Sequence, residues 1–203
     1  YRGVRIGLTI CEDIWHPGPV ASLKDAEAQL VLNLNASPFH INKQAERLQA
    51  VAARCAESDL PVLYVNMVGG QDELVFDGGS FAMNGDGAVV AELPLLEEGL
   101  VTVGFRLGEG RFSDGCRAEG MTLEAAVYGT LVTGVRDYVN KSGFRGVILG
   151  LSGGIDSALV LAIAVDALGA DRVQAVMMPF HYTAPMSLED AAAEAATLGV
   201  GYS

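Results

Sequence analysis

The chain has 203 residues, half of them hydrophobic, with 13 Lys+Arg against 25 Asp+Glu and a net charge of −12. That apolar content sustains a packed core and excludes a disordered chain. The acid excess holds on both sides of the chain, four Lys/Arg against seven Asp/Glu from Tyr128 onward and nine against eighteen before it, which speaks against a nucleic-acid binder.

The segment Val4–Ile10 reads as a buried strand ending at Cys11, followed by a loop with Pro17, Gly18 and Pro19 and a short helix through Ala28. Leu30–Leu34 is a second apolar strand, stopped by Asn35-Ala-Ser-Pro38. Asn42–Ser58 has helical spacing, with Leu48, Val51, Ala52 and Cys55 on one face. Val62–Val65 is a strand, Gly69-Gly70 breaks the chain, and Ser80–Met83 with Ala88–Glu92 forms a hairpin around Asn84-Gly-Asp-Gly87. Val101–Arg106 is a last strand before residues 107–120, which hold four glycines without periodicity and read as a linker. Beyond it the pattern predicts a helix over 121–140, a strand over 146–149, a helix over 156–168 and a strand over 173–178. A final helix starts in the capping pattern Ser187-Leu-Glu-Asp190 and stops at Gly199. Strand, helix and strand at these lengths imply a parallel βαβ unit.

No apolar run reaches the roughly 18 uncharged residues of a membrane span. Cys11, Cys55 and Cys116 are widely separated and form neither a disulfide framework nor a zinc pattern, so a reducing cytoplasm is expected. The first residues, Tyr-Arg-Gly-Val-Arg-Ile-Gly, have strand character and no signal-peptide anatomy, and both ends are expected to continue into a longer protein.

Gly150, Leu151, Ser152, Gly153, Gly154, Ile155, Asp156 and Ser157 lie between an apolar strand and an apolar helix. A loop there presents free backbone N–H groups to an anion, the glycines permit close approach, and the serines add hydroxyl donors. Asp156 would repel a bare phosphate, so it points to a bridging Mg²⁺. The lysine of the Walker-type loop is absent, against γ-phosphoryl transfer of that style. An ordinary glycine turn is the structural alternative. The motif resembles the Ser-Gly-Gly-x-Asp-Ser signature of the ATP pyrophosphatase superfamily, whose members cleave ATP between the α and β phosphates. Met177-Met-Pro-Phe-His-Tyr-Thr183 and Ser187-Leu-Glu-Asp-Ala191 are similar to the Met-Pro, Tyr-Ser/Thr and Ser-x-x-Asp-Ala segments of NAD synthetases. The side chains of Met177 and Met178 read as core, with their backbone bordering adenine.

Leu8-Thr-Ile-Cys-Glu-Asp-Ile-Trp15 puts Cys11 at a strand end, where a sharp turn presents a thiol as a nucleophile and the Glu12 N–H can face an oxyanion. An inert buried cysteine is the alternative, and it is the reading for Cys55 and Cys116. Glu12 follows Cys11 directly and points away from it, so it is not taken as the base. His16 and His40 read as loop residues. The Cys11 segment is similar to the cysteine region of nitrilase-superfamily amidases, whose triad is Glu, Lys and Cys. Leu32-Asn-Leu-Asn-Ala-Ser-Pro38 resembles the turn of the glutaminase branch found in NAD synthetases, and Asp77-Gly-Gly-Ser80 fits the nitrilase pattern.

Together the two halves resemble the glutamine-dependent NAD synthetases. The resemblance implies an α/β chain: the C-terminal part of a nitrilase-like α-β-β-α sandwich over 1–106, the linker 107–120, and the start of a Rossmann-like parallel-sheet ATP pyrophosphatase domain over 121–203. It implies Cys11 as nucleophile, Ser37 and Lys43 as glutamine contacts, residues 150–157 as the ATP loop and Asp156 as a Mg²⁺ ligand. The substrates would be glutamine, deamido-NAD and ATP, in a homo-oligomer without nucleic acid or membrane. The family's Glu and Lys would lie upstream of Tyr1. Two rivals remain: a carbon–nitrogen hydrolase with a nucleotide-binding regulatory module, and an RNA-modifying transferase on the same ATP loop, against which the acidic charge counts.

Overall fold

A computed structural model describes residues 1–203. They divide into two compact units, one of Tyr1–Gly69 with Val75–Ala126, the other of Gly70–Leu74 with Val127–Ser203.

The first unit is built on a five-stranded sheet of β1 (Ile6–Ile10), β2 (Leu30–Asn35), β3 (Val62–Asn66), β6 (Phe81–Met83) and β7 (Val89–Glu92), in that order. β1, β2 and β3 are parallel, while β6 and β7 continue antiparallel with a bulge between Ala82 and Met83. Helices α1 (Pro17–Asp25) and α2 (Lys43–Ser58) supply Val20, Val51 and Cys55 to the core, which also takes Ile14, Val31, Val62, Tyr64 and Phe81. On the alternate positions Leu8, Ile10, Leu34 and Val65 stay exposed, so the face turned away from this core is apolar too, the pattern of a sheet made to be covered twice.

In the second unit, α3 (Leu123–Lys141) precedes β10 (Val147–Gly150), α4 (Ile155–Leu168), β11 (Val173–Val176), α5 (Pro185–Leu198) and β12 (Gly201–Tyr202). The strands pair in parallel in the order β10-β11-β12. Leu161 fills the core together with Ala164, Ala175, Ala191 and Ala195, alanines that let α4 and α5 approach the sheet.

Several local expectations are corrected. Pro17 and Pro19 are not in a loop but in the first turn of α1, where proline's missing N–H costs nothing, and the helix ends at Asp25. Gly69-Gly70 does not break the chain. It lies in β4 (Val68–Gln71), which pairs with β5 (Leu74–Asp77), Gly69 taking φ +132. The last strand shrinks to β8 (Phe105–Arg106). Its partner β9 (Arg111–Phe112) lies within residues 107–120, where Phe112 is buried and donates its N–H to Asn84 Oδ1. Ser187 does not cap α5, because Pro185 opens the helix and Ala184 is the N-cap. Gly199 does end it, at φ +70.

Candidate active site

Parallel pairing in register sets Ile10 beside Leu34 and Leu34 beside Val65, so the residues that follow gather along one sheet edge. Cys11 leaves β1 there, and Asn35 faces Asn66 at the ends of β2 and β3. The carboxyl ends of parallel strands are where such sheets receive ligands. Cys11 opens a short 3-10 turn, Cys11–Trp15, with φ +45 after the extended Ile10. A left-handed non-glycine residue costs about 1–3 kcal/mol and collects at functional corners. Asp13 holds this corner by accepting the Ile10 N–H on Oδ2 at 2.8 Å. The Cys11 thiol is partly exposed, whereas Cys55 is buried. Burial, reinforced by the charge of Asp86, pushes the Cys55 thiol up to about 12, which keeps it protonated and inert. Glu12 is exposed and pairs with His16 at 3.5 Å.

Ser37 is buried in the turn after β2 and fixed on every side. Its N–H donates to Asn66 Oδ1 at 2.8 Å, and its carbonyl accepts from Arg47 Nη2 at 2.7 Å and Asn66 Nδ2 at 3.2 Å. Its Oγ accepts from Arg47 Nε at 3.2 Å. Arg47, on α2, is fully buried and grips both oxygens of Asp77 at 2.7 and 3.0 Å. It also donates to Gln44 Oε1 at 3.2 Å and to the Pro38 carbonyl at 3.3 Å. Every guanidinium donor is used, the condition under which a buried ion pair is tolerated. Lys43 opens α2 with its Nζ 4.4 Å from the centre of the Trp15 ring and 3.5 Å from Glu46 Oε2. Glu46 in turn lies 3.2 Å from His40 Nε2. The lysine is therefore turned onto the segment that starts at Cys11. Sequence reasoning missed Arg47, Asp77 as its partner, Asn66 and Tyr64. Tyr64 is fully buried with its hydroxyl unpartnered.

In the second unit, Gly150 ends β10 and α4 begins at Ile155, leaving the turn Leu151–Gly154. Gly153 has φ +78, and a Cβ there would come 2.2 Å from the Ser187 carbonyl oxygen, so only glycine fits. Ser157 Oγ accepts the Ser152 N–H at 3.2 Å and donates to the Gly154 carbonyl at 2.9 Å, and the two serine oxygens are 3.0 Å apart. Asp156 is exposed in the first turn of α4. A cavity of about 290 Å³ joins the loop to Val176, Met178 and Thr183. Met177 packs on the core as expected, but Met178 does not: it is 76% exposed beside the cavity, since β11 ends before it. No three His, Cys, Asp or Glu side chains cluster as a metal cage. The lone carboxylate of Asp156 suits a hard cation that arrives with phosphates and keeps most of its waters.

A carbon–nitrogen hydrolase family model matches residues 1–111, and a NAD synthase model matches residues 127–203. A glutamine-dependent NAD(+) synthetase of Acinetobacter baylyi is 46% identical over 202 residues, covering 100% of this chain and 37% of the relative. The structure of a glutamine-dependent NAD+ synthetase from Acinetobacter baumannii, in complex with adenosine diphosphate, superposes with a TM-score of 0.93 at 46% identity, covering 100% of this chain and 38% of that one. A glutamine-dependent NAD(+) synthetase from Cytophaga hutchinsonii, at 20% identity and TM-score 0.76 over 98% of this chain and 38% of its own, shares the fold. The chain thus spans 37% of the length of the first of these curated relatives. Through the family model that matches residues 1–111, more than half of its length, the chain belongs to the carbon–nitrogen hydrolase family, while residues 127–203 are similar to NAD synthases.

Proposed function

We propose that this chain is part of a glutamine-hydrolysing NAD(+) synthase, which amidates deamido-NAD at the expense of ATP with ammonia taken from glutamine. What carries the reading is the presence, in one chain 46% identical throughout to a glutamine-dependent NAD(+) synthetase, of both a corner cysteine and a glycine loop at sheet carboxyl edges. Cys11 Sγ attacks the carboxamide carbon of glutamine and ammonia leaves, giving a γ-glutamyl thioester that water cleaves to glutamate. Ser37 and Lys43 hold the amino acid, the first by a hydroxyl fixed from behind by Arg47, the second by its charge. In the other part, the backbone and hydroxyls of Gly150 to Ser157 hold the phosphates of ATP, with adenine beside Met178 and Thr183. Mg²⁺, when bound, neutralises phosphate charge, and Asp156 is the residue that would hold it. Adenylation of the nicotinate carboxylate releases pyrophosphate, and ammonia then displaces AMP to give NAD and AMP.

The division into a hydrolase part over 1–106, a connection over 107–120 and a synthase part from 121 belongs to this proposal. It is supported by family matches that end at residue 111 and resume at 127. So do a cytoplasmic location, consistent with three unpaired cysteines, and a homo-oligomeric assembly. No helix is long and apolar enough to cross a membrane. Pyrophosphate release by the complete protein tests the reading. It is expected only when deamido-NAD accompanies ATP, whereas a hydrolase with a regulatory nucleotide module would release none.

A further inference from the structure

The turn Cys11–Trp15 carries the candidate nucleophile at one end and the only tryptophan of the 203 residues at the other. It is anchored along its length. Asp13 Oδ2 accepts the Ile10 N–H at 2.8 Å, Ile14 is fully buried, and the Trp15 carbonyl accepts from Arg54 Nη1 at 3.3 Å. Arg54 is itself buried on α2 and tied to Glu57 at 2.7 Å. The Trp15 side chain packs against the core of the first unit, so its ring is set by packing. On that ring sits Lys43, with Nζ 4.4 Å from the centroid, inside the reach of about 6 Å over which an aromatic face attracts a cation. The ammonium's other hold is looser. Glu46 Oε2 is 3.5 Å away, longer than an ordinary N–H···O bond, and lies closer to His40 Nε2 at 3.2 Å. The difference matters chemically. A carboxylate gripping Lys43 would neutralise the charge that a substrate carboxylate needs. An aromatic face attracts the ammonium through its quadrupole and has no net charge, so the cation stays whole. Nζ has three donors; the ring and one long contact leave a third for a ligand, and the side chain is 21% exposed, so a ligand can reach it.

We infer that Trp15 is a positioning residue of the cysteine site, whose ring seats the Lys43 ammonium and so ties the cation that holds the amino-acid carboxylate to the same short turn as the attacking thiol. The ring thereby sets the separation between charge and nucleophile, which a substrate must match along its own length. Trp15 acts through Lys43 and has no bond to make or break. The inference rests on the reading of Lys43 as a glutamine contact. A ring that served packing alone would act on stability and would be indifferent to the charge at Lys43.

The test is a double-mutant cycle in the complete protein, using Trp15→Leu, Lys43→Met and the pair, with glutamine KM and kcat as readouts. Trp15→Leu keeps an apolar side chain and removes the aromatic face. It is expected to raise the glutamine KM about three- to tenfold while kcat changes less than about twofold. In the Lys43→Met background the same change is expected to do nothing further, because the cation it seated is gone. Trp15→Phe, which keeps a weaker face, should raise KM less than Trp15→Leu does. An unchanged KM in Trp15→Leu, or an equal rise in both backgrounds, would overturn the inference and leave the ring as packing. A fall in kcat with KM held would overturn it as well, since the ring would then be acting on the thiol. Should Trp15→Leu fail to fold, the cycle is run with Trp15→Phe: a rise in KM that needs Lys43 supports the inference, and one that does not overturns it. If Lys43→Met alone left the glutamine KM untouched, the reading of Lys43 would fail and the role of Trp15 with it. That outcome is separable from the others, because it shows before Trp15 is changed.

Discussion

Removing Asp77 should do more damage than any other single truncation in the first unit. Arg47 is 0% and Asp77 2% exposed at the side chain, and the pair is joined by two short bonds. Asp77→Ala leaves the guanidinium charged, buried and short of both carboxylate acceptors. A broken buried pair of this kind costs about 3–5 kcal/mol, against roughly 0–1 kcal/mol for a solvated one. For a unit of this size each kcal/mol lowers the melting temperature by about 4 °C, so a drop of roughly 12 °C or more is expected for the transition of that unit. The matched double substitution Arg47→Met, Asp77→Leu should recover a large part of it, since apolar isosteres remove both desolvation costs. Recovery of glutaminase activity should not follow, because Ser37 would have lost the donors that hold its carbonyl and hydroxyl. Scanning calorimetry of the complete protein reads the first quantity, and glutamate release the second. A loss below about 1 kcal/mol for Asp77→Ala would refute the reasoning, as it would mean that water reaches the pair.

Lys43→Ala should raise the glutamine KM by about ten- to a hundredfold, the worth of a charge-assisted contact of roughly 1.5–3 kcal/mol, while kcat changes little. An unmoved KM would leave the lysine as only the partner of Trp15 and Glu46. Gly153→Ala should abolish ATP-dependent synthesis from either nitrogen source, because the new Cβ would run into the Ser187 carbonyl from a strained φ of +78. Retained synthesis would show that the loop can move aside from α5. Cys55 should resist alkylation in the folded protein at pH 8 while the exposed Cys116 reacts. With its thiol raised from 9.0 to about 12, folding keeps a proton that the unfolded chain gives up, so this contribution to stability is whole below about 9 and drains away as the pH climbs toward 12. A flat stability profile across that range would argue against its burial.

What the residue pattern made legible was whatever depends on local apolar periodicity. β1, β2, β3 and α2 were found within a residue or two, since each is a run of core residues bounded by turn formers. The β4–β5 pair was missed because Gly69-Gly70 looks like a chain break, and only pairing with Leu74–Asp77 makes it a strand. Phe112 gives no signal of its own within a glycine-rich stretch; its burial comes from Asn84 and the Phe105 ring. The site divides the same way. Cys11 and the 150–157 loop carry their chemistry in consecutive residues, so they could be read directly. Arg47 and Asp77 are thirty positions apart and look like surface charges until the fold buries them. Tyr64 reads as a core aromatic from its strand, and nothing local says that its hydroxyl is buried without a partner.

NAD production with glutamine or with ammonium chloride, run in parallel on Cys11→Ala and Asp156→Ala in the complete protein, tests the two-site account most directly. Cys11→Ala removes the thiol and leaves the nucleotide loop intact, so synthesis from glutamine should vanish while synthesis from ammonia continues. Asp156→Ala should abolish synthesis from both, because the phosphate site loses its one carboxylate, while some glutamate release remains. If folded Cys11→Ala protein that still binds ATP failed to use ammonia, Cys11 would not be simply the glutaminase nucleophile. If Asp156→Ala went on making NAD from ammonia, the glycine loop would not be the ATP site.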